Sequence, residues 1–270
     1  YPIEGSVNGE NSRVNVASGG TVSASGKIGF GIKTYDKHNG ATNNNGTFKI
    51  DIFVDDEQIY GFTANRLAFD ETRAINSVCD FEDIQKNNSW VYQSQIQEGN
   101  PLRLFSNVKD YGTLNLDDKT YKIKMVVSDY AGNSTSTTFN LKGSKSENNS
   151  AKEPQNWMKW NEKNEFKTND LELYFPKGVF YHNFDFKYNL NKEKHQIGDY
   201  YMPLHSYYTM IMTPPTSIPT AQLDKPVIVR QYMRRGTWRK DYINPELKNG
   251  KLVSQARDFG ILVYLAPKME

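Results

Sequence analysis

The sequence predicts an all-β protein made of two consecutive antiparallel β-sandwich domains, the first of them immunoglobulin-like. Three observations point there. Aromatic residues are abundant, with 17 Tyr, 14 Phe and 4 Trp in 270 residues, while Asn, Thr and Ser are frequent and Ala and Leu sparse, a bias toward strands and polar turns over long helices. Several short runs alternate apolar and polar residues with period two, as a strand with one buried face must. Turn-forming residues separate those runs at hairpin spacing, and 270 residues exceed the usual size of one domain.

In the first half, Ile28, Phe30 and Ile32 alternate with glycines, Phe48, Ile50, Ile52 and Val54 alternate with Lys49, Asp51 and Phe53, and Tyr121, Ile123, Met125 and Val127 alternate with Lys122, Lys124 and Val126. Asp55-Asp56-Glu57 reads as a hairpin turn, and Tyr130-Ala131-Gly132-Asn133 supplies a glycine where a tight connection needs positive φ. Phe69 to Lys86 breaks the strand pattern. We read it as a long excursion pinned to the first domain, with short helical turns starting near Asp70, Glu71 and Asp80, Phe69 and Ile75 buried, and Arg73 paired to a carboxylate. Residues 143–156 are polar and small, with no large apolar residue between Lys142 and Gln155, so they read as a linker between domains at 1–142 and 157–270.

In the second half, Leu171 to Phe175 reads as a strand running into Pro176-Lys177-Gly178, and Phe184, Phe186, Tyr188 and Leu190 alternate with polar residues. Proline keeps Thr213 to Pro219 out of a central sheet. Lys225–Tyr232, Thr237–Tyr242, Lys251–Gln255 and Phe259–Leu265 read as a four-strand meander with turns at Gly236 and Asn249-Gly250. Trp157 and Trp160 stand at the start of this half, where packing against a neighbouring domain would account for them.

A formal net charge of +2 is too balanced for the concentrated basic face that nucleic acid requires. No stretch reaches the roughly 18 to 20 apolar residues of a membrane-spanning helix, so the chain reads as soluble. The single cysteine, Cys79, excludes an internal disulfide, and with only Arg73 as a nearby cation it reads as a small half-buried apolar residue, not an activated thiolate. The carboxylates Asp70, Glu71, Asp80, Glu82 and Asp83 lack the spacing of a calcium loop; helix capping and an Arg73 ion pair explain them more simply. His195 and Asp199 are four apart, yet Lys192 to Tyr201 reads as a polar hairpin loop, which favours surface residues over a metal site. The best binding candidate is Arg234-Arg235-Gly236-Thr237-Trp238-Arg239-Lys240, where an indole beside cations at a hairpin tip could stack on a sugar or hold an anion; a charged turn with a half-buried Trp is the favoured reading, since isolated surface aromatics are common.

Several segments in order carry a resemblance. They are Tyr1 to Gly9, Gly26 to Ile32 and Tyr35-Asp36, Phe69-Asp70-Glu71-Thr72-Arg73 with Ile75-Asn76, Asp129 through Gly132 and Asn133, Phe175 to Gly178, Pro203-Leu204-His205, and Gly250-Lys251-Leu252 followed by Phe259-Gly260. Together they resemble the non-catalytic region that follows the catalytic domain of bacterial lysostaphin-type zinc metallopeptidases, enzymes that cut peptidoglycan. The catalytic motifs are absent: none of His38, His182, His195 and His205 forms a His-x-His pair, so no zinc or catalytic residue carries over. The resemblance implies an accessory role at the cell wall, with peptidoglycan or a peptidase domain in cis as partner, an extracytoplasmic location in the periplasm or cell envelope, and no cofactor in this chain, zinc belonging only to a preceding catalytic domain. The alternatives are a stand-alone carbohydrate-binding or cell-surface module, marked by a row of exposed aromatics, and a hydrolase with an unrecognised site.

Overall fold

A computed structural model describes residues 4–8, 13–37, 42–146, 153–215 and 226–265. The chain is all-β, with antiparallel sheets in two compact units, one drawn from residues 1–84 and 89–151, the other from 152–270 with the four residues Gln85–Asn88. Among the described residues no helix is long and apolar enough to cross a membrane.

The first unit contains β1 (Glu4–Asn8), β2 (Arg13–Val16), β3 (Thr21–Ser25), β4 (Lys27–Lys33), β5 (Lys49–Val54), β6 (Glu57–Thr63), β7 (Val91–Gln93), β8 (Phe105–Ser106), β9 (Thr113–Asn115), β10 (Thr120–Ser128) and β11 (Ser134–Ser144). One sheet runs β2-β1-β4-β7, with β9 also on β4, and the other runs β3-β11-β10-β5-β6-β8. Their facing sides meet: a Cβ on Gly5 of β1 would lie 3.5 Å from Met125 of β10 and from Phe139 of β11. Period two produces this core directly. Ile28, Phe30, Ile32, Ile50, Ile52, Val54, Tyr121, Ile123, Met125 and Val127 are all buried. The β5–β6 hairpin turns on Asp55 and Asp56, both at positive φ, the left-handed pair whose twist suits a two-residue hairpin. Asp55 holds the turn by accepting the Lys122 N–H at 2.8 Å, which keeps its carboxyl below the ordinary range.

Ser94, just after β7, ties the unit together. Its hydroxyl accepts from the Phe30 N–H at 2.8 Å and donates to the Gly112 carbonyl, with the side chain buried. Gly112 has φ +75°, and a Cβ there would lie 1.9 Å from the Ser94 carbonyl oxygen, so only glycine fits.

The predicted linker is shorter than 143–156. β11 continues through Ser144, where Gly143 and Ser144 pair in parallel with Ala24 and Ser25 of β3, and a Cβ on Gly143 would come within 2.6 Å of the Asp117 carbonyl. At the other end Asn156 donates its N–H to Asp185 at 2.7 Å. Small polar residues here serve close backbone packing as well as exposure. Residues 147–152 lie outside the described residues.

The second unit contains β12 (Trp157–Met158), β13 (Asn164–Lys167), β14 (Leu171–Phe175), β15 (Phe184–Asp185), β16 (Tyr188–Asn191), β17 (Lys194–Ile197), β18 (Tyr208–Met212), β19 (Val227–Arg234), β20 (Thr237–Ile243), β21 (Glu246–Lys248), β22 (Lys251–Ala256) and β23 (Gly260–Leu265). Two five-stranded sheets, β13-β14-β18-β22-β21 and β16-β17-β23-β19-β20, enclose a core rich in aromatic rings, beside a short β12-β15 pair. Phe259 is central, with ring centroids of Phe175, Phe180, Phe184, Phe186 and Tyr208 between 5.6 and 6.4 Å away.

This topology corrects the expected meander. The β19–β20 hairpin pairs through β19 with β23, whereas β22 crosses to the opposite sheet beside β18 and forms its own hairpin with β21. Both hairpins turn on positive-φ pairs, Arg235-Gly236 and Asn249-Gly250. The run Phe184 to Leu190 also divides: β15 and β16 are separate strands, and Leu190 is exposed. Trp160 packs against its own unit's core, and Trp157 is half exposed on β12. Thr213 to Pro215 follow β18 outside any strand; 216–219 lie outside the described residues, as does Lys225.

Candidate functional site

The excursion after β6 folds into a 3-10 helix, Thr72–Ser77, and the helix α1, Phe81–Asn87. Asp80 caps α1 by accepting the Asp83 N–H at 3.0 Å, which satisfies a backbone donor that the first turn leaves open. Asp83 and Glu82 lie in that first turn, where the helix dipole favours carboxylates. Phe69 is fully exposed, contrary to expectation, because it lies in the turn leading to the 3-10 helix, where its carbonyl accepts from the Thr72 N–H. Ile75, Arg73 and Asn76 are partly buried, and Ala74 and Ser77 are the residues that point fully inward. An ion pair here joins Glu71 to Arg103, about thirty residues away, at 3.5 Å. Asp70 is exposed.

Asp129, Gly132 and Asn133 form the β10–β11 turn. Asp129 accepts both the N–H and the side-chain amide of Asn133, at 2.8 and 2.7 Å, and Gly132 has φ +90°. Cys79 is fully buried, and burial pushes its thiol up to about 12, so the thiolate needed for nucleophilic chemistry is scarce.

His195 corrects the surface-loop expectation. It is buried on β17, shares a face with Ile197, and its Nδ1 lies 2.9 Å from the Tyr188 hydroxyl. Asp199 instead accepts the Tyr201 N–H in the following turn. Burial lowers the affinity of His195 and of His182 for a proton. The His205 backbone N–H donates to the Val179 carbonyl, and its Nδ1 lies 3.2 Å from the Tyr181 hydroxyl. Among the described residues no three His, Cys, Asp or Glu side chains cluster to hold a metal.

At the predicted binding hairpin, Arg234 and Thr237 close the turn and Trp238 is 53% exposed, its ring 6.4 Å from that of Tyr200. The guanidinium of Arg235 hydrogen-bonds Asn88, grouped with the same unit. Behind the tip, Arg230 stacks 4.0 Å over Tyr232, ion-pairs with Asp241 and donates to the Phe259 carbonyl at 2.9 Å.

The second candidate went unseen in the sequence. On the outer face of the β13-β14-β18-β22 sheet, the register aligns Glu165, Tyr174, Thr209 and Gln255 in one row across four strands. Beside that row lie Lys163, Pro176 and Tyr207, flanking their strands, and together these residues line a cleft of about 450 Å³. Gln255 donates to Thr209 at 2.8 Å. Tyr207 is half exposed, with Arg257 5.1 Å from its ring centre. Tyr174 donates to Glu172 at 2.6 Å, beneath Lys167, which pairs with Glu165 at 2.9 Å. Hydrogen bonds from Lys251 and Tyr174 hold the Glu172 carboxyl below its ordinary range, while the Glu165 bond raises Lys167. The wall therefore carries paired charges and hydrogen bonds. Its signal was partly available, since in Leu171-Glu172-Leu173-Tyr174-Phe175 the buried leucines and Phe175 put Tyr174 outward.

Residues 155–265 match the family model of the Zu5-like domain. The Zu5-like match covers the second unit's sandwich, both the cleft and the β19–β20 hairpin included, and leaves the first unit outside it. No curated protein matches the chain.

Proposed function

We propose that this chain is the non-catalytic accessory region of a cell-wall peptidoglycan endopeptidase, working outside the cytoplasm, and that its Zu5-like unit grips the wall's glycan through the Tyr174–Tyr207 cleft. The cleft carries the reading. A sugar ring offers an apolar face that packs on an aromatic ring and hydroxyls that need polar partners, and Tyr207 and Tyr174 stand among Glu165, Lys163, Thr209 and Gln255. The segments from Phe69 to Arg73 and from Asp129 to Asn133, which resemble the accessory region of lysostaphin-type peptidases, supply the enzyme context.

The test is cosedimentation of the purified chain with peptidoglycan sacculi. Binding should fall at least tenfold in Tyr207→Ala and in Tyr174→Ala, with unfolding midpoints little changed for the more exposed Tyr207. No binding of the unaltered chain to sacculi overturns the wall assignment; binding indifferent to both variants overturns the cleft. A stand-alone carbohydrate-binding module draws on the same two tyrosines and differs in context: a zinc-ligand motif encoded upstream of Tyr1 selects the peptidase reading.

A further inference from the structure

We propose that the outer edge of β20 is a docking strand for an extended acidic segment of a partner protein, which adds itself to the sheet as a further strand. The proposal does not depend on the cleft. β20 ends the sheet order β16-β17-β23-β19-β20, and among the described residues nothing pairs with its outer edge. It is seven residues long, whereas the strands at the ends of the other sheets, and β16 at the far end of this one, have two to five. Its seven pairs with β19 run without a bulge, it contains no proline, and six of its seven residues are exposed. Short strands, bulges and prolines are the common devices that stop an edge from recruiting another chain, and β20 has none of them.

The hairpin fixes which groups are on offer. A two-residue turn makes Arg234 and Thr237 the hydrogen-bonded closing pair, and the bonding alternates from there. The N–H and C=O groups of Trp238, Lys240 and Tyr242 therefore point away from β19, toward solvent. Their three side chains share one face, with Lys240 between two exposed rings.

Charge selects the occupant. Among the described residues no carboxylate pairs with Arg234, Arg239 or Lys240, and the strand's one acid, Asp241, is committed to Arg230. Lysine on an edge also serves to repel strands, but that device repels basic and apolar strands and attracts acidic ones. Two copies of β20 meeting antiparallel about their centre would set Lys240 against Lys240, and like charges directly opposite disfavour a pair. An acidic strand with alternating carboxylates places them opposite Lys240, on the face it shares with Trp238 and Tyr242, while its backbone closes the ladder.

The test titrates the full chain with a capped alternating Glu-Val heptapeptide and with its Lys-Val counterpart, read by amide exchange and tryptophan fluorescence. The acidic peptide should bind at least tenfold tighter and slow exchange at Trp238, Lys240 and Tyr242, leaving Arg239 and Asp241, already bonded to β19, unchanged. Lys240→Pro removes an outward N–H without touching the β19 ladder and should abolish binding. Should that variant misfold, Arg239→Glu with Lys240→Glu should reverse the peptide preference. Equal affinity for both peptides, slowing elsewhere than at those amides, or no binding overturns the proposal. A peptide-free dimer lost in the charge-reversed variant overturns it in favour of a second copy of this chain.

Discussion

Ser94→Ala tests how the first unit is held shut, and Cys79 provides its own reporter. The hydroxyl serves two buried backbone groups, the Phe30 N–H and the Gly112 carbonyl, and its removal strands both. An unsatisfied buried group costs about 1–3 kcal/mol, so about 2–6 kcal/mol is expected for the pair. Cys79 is the only cysteine in the chain; it bridges to Tyr92 of β7, two residues before Ser94, and its thiol is raised from 9.0 to about 12. At pH 8 that shift alone cuts the reactive thiolate roughly a thousandfold relative to an opened chain. Alkylation must therefore pass through opening, at a rate proportional to the open population. With tenfold per 1.4 kcal/mol, Ser94→Ala should speed alkylation by iodoacetamide roughly 30- to 20,000-fold under native conditions. An acceleration below threefold would refute the bridge's contribution, and completion within seconds in the unaltered chain would refute the burial of Cys79.

Two further outcomes concern the second unit. Gly198→Ala would set a Cβ 2.4 Å from the Phe259 ring at φ +53°, whereas Gly250→Ala meets nothing within 4 Å at φ +76°; urea denaturation should show a loss of about 2–4 kcal/mol for the first and about 1 kcal/mol for the second, and equal losses would mean that Phe259 yields. His182 and His195 bind protons less readily when folded than their ordinary value of 6.5, so the unfolded chain takes up protons first as pH falls. Stability from both groups is present above pH 6.5 and declines below it. The tryptophan-monitored urea midpoint should drop between pH 7.5 and 5.5, before Glu172 begins to titrate, and His182→Asn with His195→Gln should flatten that drop; a midpoint independent of pH in this range would contradict the burial of both rings.

The buried strand positions were legible because alternation is a local property: Ile123, Met125 and Val127 declare their face without reference to any partner. The same rule placed His195 beside Ile197 on one face, but the lysines and glutamate around it lent the segment the look of a loop. Phe69 shows the converse. An aromatic in a turn has no neighbours two residues away to reveal its side, and only the chain's path decides. The hairpin at Arg235-Gly236 could be read from its turn residues, whereas the cleft could not, because Glu165, Tyr174, Thr209 and Gln255 come from four strands whose mutual register is set by topology. The crossing of β22 to the opposite sheet was hidden for the same reason.

The parallel contact of β3 with β11 has a consequence for synthesis. It joins Thr21 to Asn140 and Ser25 to Ser144, so one border of the first unit has to wait for nearly all of that unit to leave the ribosome. Until then β3, made early, stays without its mate, and such long loop closures are slow. A nascent chain halted before Ser134 would be caught with that border unzipped, whereas one released after Ser144 could complete it, making this single seam the step at which growth of the polypeptide and completion of its first folded body are locked together.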